Sequence, residues 1–101
     1  MSVDAASQVV LVSGGSKGLG LAIVEDLLAS GRTVITFSRK STPDIERLAE
    51  AFQGQFEFFT GDLEDESFPQ QAVARVHNRF GRLDALINNA AVAFDGVLAT
   101  Q

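Results

Sequence analysis

A branched aliphatic run, Val9-Val10-Leu11-Val12, gives way at Ser13 to Gly14-Gly15-Ser16-Lys17-Gly18-Leu19-Gly20, and a helical pattern begins inside that turn. The run is continuous rather than alternating, the pattern of a strand covered on both faces in a parallel sheet. Glycines 14, 18 and 20 give the spacing G-x-x-x-G-x-G. Such residues let the backbone turn tightly and approach an anionic group without a Cβ in the way. The N-terminus of the next helix adds free N–H groups and about half a positive charge. The turn therefore reads as a seat for a phosphate or pyrophosphate. It is not a P-loop, because Gly18 follows Lys17 where a magnesium-binding Ser or Thr is required. The alternative is a glycine-rich βα turn without a ligand.

The remaining chain repeats the same alternation. Gly18–Ser30 carries apolar residues at Leu19, Ala22, Ile23 and Leu27, a helical spacing, with Gly31 placed to end it. Thr33–Ser38 is rich in strand formers. Thr42-Pro43 predicts an N-cap with proline at the first helical position, opening a helix over Asp44–Phe52. Phe56–Thr60 is the third strand. Ser67 is placed to cap a helix that runs to Phe80, with Val73, Val76 and Phe80 on one face and Gly81 at its end. Ala85-Leu86-Ile87 is the fourth strand and leads into Asn88-Asn89-Ala90-Ala91. The order βαβαβαβ predicts an α/β fold: a Rossmann-like, doubly wound parallel sheet with right-handed crossovers and strand order 3-2-1-4, truncated, so that residues 1–101 form a half-domain. In such sheets ligands sit at the carboxyl ends of the strands. Ser13–Gly20, Ser38–Lys40, Gly61–Leu63 and Asn88–Ala91 therefore have first claim on function.

Composition excludes several other classes. The net charge of −5 disfavours a nucleic-acid or anionic-membrane partner, either of which needs a basic face. There is no cysteine, hence no disulfide and no thiolate metal site, and His77 is the one histidine. His77 stands among Arg75, Asn78 and Arg79 and reads as a surface residue. Glu64-Asp65-Glu66 reads as a solvated helix start rather than a metal site. The phenylalanines, Phe56, Phe58 and Phe59 among them, read as core. Met1–Gln8 has neither the basic nor the apolar region of a secretory signal, and Val9–Val12 is far too short to span a bilayer. A cytoplasmic setting is the expectation.

Four segments together resemble the short-chain dehydrogenase/reductase family, in its single-domain branch. The glycine turn matches that family's T-G-x-x-x-G-x-G motif, with Ser13 in place of threonine. Asp62-Leu63 follows the third strand as the family's adenine-contacting Asp does. Asn88-Asn89-Ala90-Ala91 is similar to its N-N-A-G motif, with Ala91 in place of glycine. Phe80-Gly81-Arg82-Leu83-Asp84 is also typical. The resemblance implies a nicotinamide dinucleotide held by Gly14, Gly15, Ser16, Lys17, Gly18, Leu19 and Gly20, with Ser38, Arg39, Asp62, Leu63, Asn88, Asn89, Ala90 and Ala91. Asp62 would accept from the adenine amino group, or serve only as a loop carboxylate or cap. Asn88 and Asn89 would contact the nicotinamide-side ribose, or only tie neighbouring strands.

NAD-binding members place an acidic residue at the end of the second strand, where it accepts from the ribose 2′-hydroxyl. Here that strand ends Ser38-Arg39-Lys40, with no carboxylate before Asp44. Arg39 can pair with a 2′-phosphate through its fork, and Lys17 matches the basic position of NADP-using members. NADP(H) is thus expected over NAD(H); the alternative is that both are ordinary solvated cations. The resemblance also implies a catalytic Ser and a Y-x-x-x-K pair beyond the fourth strand, yet the chain contains no tyrosine. The expectation is the cofactor-binding part of an oxidoreductase acting on a carbonyl or alcohol, resembling the beta-ketoacyl carrier-protein reductases, with no catalytic residue of its own. Oligomers are expected only for a full-length parent. A non-catalytic NADP(H)-binding module and an inert truncation are the other readings.

Overall fold

The computed structural model describes residues 8–14, 18–62 and 65–88. Four strands and three helices alternate: β1 (Val9–Ser13), α1 (Gly18–Ala29), β2 (Thr33–Ser38), α2 (Pro43–Ala51), β3 (Phe56–Thr60), α3 (Phe68–Phe80) and β4 (Ala85–Asn88). They form one parallel sheet of order β3-β2-β1-β4, as the sequence predicts. Val9–Ser13 is buried along its whole length because β1 has strands on both edges and helices on both faces.

Alternation of side chains divides the core in two. Val9, Leu11, Ile35 and Phe37 meet Phe68, Ala72 and Val76 of α3 on one face. Val10, Val12, Val34 and Phe56 meet Val24 and Leu28 of α1 and Ile45 and Leu48 of α2 on the other. On the α3 side Phe37, Phe59 and Phe68 form an aromatic cluster. The Phe37–Phe68 centroids are 4.8 Å apart, edge to face, and Phe37–Phe59 are 5.5 Å apart and stacked. Phe56 is fully in the core, whereas Phe58 and Phe59 are half-buried beside it.

The face of α1 differs from the sequence expectation. Gly20, Val24 and Leu28 are its buried line, Ile23 and Leu27 flank it half-buried, and Leu19 and Ala22 are exposed. Nearly the whole helix is apolar, so several lines at i, i+4 spacing fit, and packing against the sheet selects among them. In α3 the line is Phe68, Ala72 and Val76, with Val73 and Phe80 packed at its margin. The caps divide similarly. Thr42 accepts from the Ile45 N–H at 3.2 Å, with Pro43 following, as expected. Ser67 is helical in conformation and makes no side-chain cap. Asp65 is the acceptor there, taking the Ser67 N–H at 3.0 Å and hydroxyl at 2.8 Å, and these bonds hold its carboxyl below the usual carboxylate range.

Side-chain bonds tie β4 and the residue before it to β1 at both ends. At the amino end Asp84 accepts the Val9 N–H at 2.7 Å and a guanidinium bond from Arg82. At the carboxyl end the Ser13 hydroxyl donates to Asn88 Oδ1 at 3.0 Å. Both strands thus end at the same level.

Candidate functional site

Parallel pairing brings the carboxyl ends of all four strands to one edge. Ser13 stands beside Phe37 and Asn88 in register, and Ser38 beside Thr60. Gly14, Gly18–Gly20, Ser38, Arg39, Asp62 and Asn88 are therefore gathered along one rim by the sheet alone. Gly15, Ser16, Lys17, Leu63, Asn89, Ala90 and Ala91, also expected at the site, lie outside the described residues.

Gly14 (φ 70°) and Gly18 (φ 61°) both take the left-handed conformation that side chains disfavour. A Cβ at Gly18 would meet no atom of the described residues within 4 Å. Gly18 begins α1, whose first-turn N–H groups have no partner within the helix. No acidic residue occupies that turn to compete for them. Leu19 in the same turn is 70% exposed, an apolar side chain turned to solvent. These features fit an anionic ligand with an apolar portion.

Ser13 is fully buried, and its hydroxyl donates across to Asn88 Oδ1 on β4. One role of Asn88 is therefore structural, holding the β1 and β4 ends together. Thr36 donates to the Val12 carbonyl at 2.6 Å one layer deeper. Ser38, half-buried, donates to the Lys40 carbonyl at 2.6 Å and folds the chain back just after Arg39. Among the described residues no buried side-chain polar atom lacks a partner.

The outer half of the rim holds two features that sequence reasoning missed. Gly61 continues the β2–β3 ladder with its N–H on the Ser38 carbonyl at 3.0 Å, while the Phe68 ring lies where its Cβ would be, 2.0 Å from the nearest ring atom. Arg39 and Asp62 then face each other, Arg39 Nε to Asp62 Oδ1 at 3.6 Å, with side chains 66% and 52% exposed. The Gly61-Asp62 dipeptide at a strand end was the visible signal for the first. The second follows only from the strand register.

A family model described as short chain dehydrogenase matches residues 8–100. The chain belongs to the short-chain dehydrogenase family. The chain is 33% identical over 94 residues to the sorbitol-6-phosphate 2-dehydrogenase of Klebsiella pneumoniae, covering 92% of itself and 33% of that enzyme. Among solved structures it is similar to an ElxO variant with NADPH bound (29% identity, TM-score 0.67, covering 81% of this chain and 34% of that one). It is also similar to the NADH-dependent reductase A1-R′ complexed with NAD (27% identity, TM-score 0.70, 80% and 35%). The chain spans about a third of the length of the curated relatives it matches. Short-chain dehydrogenases are oxidoreductases that use nicotinamide dinucleotides, and both the phosphorylated and unphosphorylated forms occur among these neighbours. Among the described residues no helix is long and apolar enough to cross a membrane.

Proposed function

We propose that residues 1–101 are the dinucleotide-binding part of an NADP(H)-dependent oxidoreductase that exchanges hydride with a carbonyl or alcohol substrate. The observation that carries the cofactor choice is Arg39. It is the first residue past β2, exposed at the rim, where an acidic residue would accept from an unphosphorylated ribose. Family membership does not choose between the two dinucleotides, since NADPH and NAD each accompany one of the neighbours above.

The residues fit the task in chain order. The left-handed glycines and the α1 N-terminus would hold the pyrophosphate, Leu19 would cover an apolar part, and Asp62 would accept from the adenine amino group. Arg39, with Lys17 from the glycine turn, would take the 2′-phosphate. Asn88, anchored by Ser13, would reach the nicotinamide-side ribose. The nicotinamide supplies or accepts the hydride when bound. The chain has no tyrosine to act as proton donor, and the proposal assigns it no turnover by itself.

A charge-assisted hydrogen bond is worth about 1.5–3 kcal/mol, so Arg39→Ala should weaken NADP(H) roughly ten- to a hundred-fold. NAD(H) affinity should hardly move, and Arg39→Asp should reverse the preference. Calorimetric titration of both cofactors tests this. An Arg39→Ala effect of equal size on both would reduce Arg39 to a surface cation.

A further inference from the structure

The two residues assigned above to opposite ends of the adenosine group are paired with each other, brought together by the strand register. The Ser38–Thr60 register and the Gly61 N–H bond to the Ser38 carbonyl extend the β2–β3 ladder to its last rung. The Phe68 ring packed against Gly61 fixes the path on which Asp62 follows. The ladder thus brings the chain at Arg39 close to the chain at Asp62, and their exposed side chains meet there.

We infer that Asp62 is a specificity-determining residue that tempers the preference for a 2′-phosphate by competing for Arg39. This rests on the reading of Arg39 as the 2′-phosphate contact. The Arg39 Nε lies 3.6 Å from Asp62 Oδ1, an ion pair that offsets the guanidinium charge. A ligand phosphate with between one and two negative charges must draw Arg39 from a carboxylate that also repels it. Both effects act in the same direction. Both are small because the pair is more than half exposed and screened by salt. A ligand with a free 2′-hydroxyl meets neither effect. Asp62 therefore lowers affinity for the 2′-phosphorylated ligand alone, while its contact with adenine serves both.

The test is calorimetric titration of the chain with 2′,5′-ADP and 5′-AMP, comparing wild type, Asp62→Asn, Arg39→Ala and the double variant at low and high salt. Asparagine keeps an oxygen that accepts from adenine and removes the charge. Asp62→Asn should weaken the adenine contact of both probes, yet raise the ratio of 2′,5′-ADP to 5′-AMP affinity about two- to five-fold at low salt and less at high salt. Circular dichroism of each variant reports that it is folded. In the Arg39→Ala background the rise should largely disappear. A ratio of 2′,5′-ADP to 5′-AMP affinity that does not rise in Asp62→Asn overturns the inference, as does a rise of equal size without Arg39. Wild type that binds both probes equally, or neither, overturns the underlying assignment of Arg39 instead. A wild-type preference with no rise in Asp62→Asn overturns only the competition.

Discussion

Replacing Gly61 by alanine adds one methyl group to a place already taken. The new Cβ would lie 2.0 and 2.1 Å from two atoms of the Phe68 ring and 2.8 Å from a third. Ordinary contact needs about 3.5 Å or more, so the ring must retreat by more than 1 Å. Phe68 is 8% exposed and sits edge to face on Phe37 at 4.8 Å, with Phe59 at 6.1 Å, so it cannot swing aside without disturbing that cluster. Overpacking of this kind costs about 1–3 kcal/mol, and a loosened aromatic pair adds about 0.5–1.5 kcal/mol. Gly61→Ala should therefore destabilise the fold by about 2–4 kcal/mol, read from the urea midpoint of circular dichroism. The loss should shrink when Phe68 is shortened to leucine in the same chain, a positive coupling in a double-mutant cycle. A Gly61→Ala change within about 0.5 kcal/mol of wild type, or the same cost with and without Phe68→Leu, would refute the steric reasoning.

Thr42→Ala removes the acceptor for the Ile45 N–H and should cost about 1 kcal/mol by the same denaturation assay, whereas Ser67→Ala, which removes no side-chain cap, should cost less. Asp84 has its carboxyl held below the usual range, first by the Arg82 side chain and then by the Val9 N–H. Its folded-state value is depressed, so its stabilisation is fully present above the unfolded carboxyl value of about 3.9 and is lost as pH falls through the lower folded one. Asp84→Asn should lower stability at neutral pH and flatten the acid limb of stability against pH, measured by thermal unfolding from pH 7 to 2. The purified chain should oxidise no NADPH with any carbonyl tested, and turnover that vanished on Gly18→Asp would contradict this.

Strand order and element types were legible because the apolar runs are unbroken and the helix ends are marked by single residues such as Thr42-Pro43 and Gly81. The glycine turn and the Arg39 position were legible for a similar reason, since each lies within a few residues of a strand end. The face of α1 was not, because Leu19, Leu21, Ile23, Val24, Leu27 and Leu28 offer several equivalent lines, and contact with β1 and β2 decides among them. The Ser67 cap failed because Ser67 is itself helical in conformation and its hydroxyl donates back to Asp65. Gly61 against Phe68, Ser13 against Asn88 and Arg39 against Asp62 join residues 7, 75 and 23 positions apart. The last two follow from strand register, which no local pattern encodes.

The account turns on a 2′-phosphate being received at the outer rim of the sheet. The direct measurement is the dissociation constant of NADP⁺ against that of NAD⁺ for the wild-type chain, by calorimetry at two salt concentrations. NADP⁺ should bind roughly ten-fold tighter or better at low salt, and its advantage should narrow as salt screens the exposed Arg39. Equal affinities at both salt concentrations, or tighter binding of NAD⁺, would contradict it.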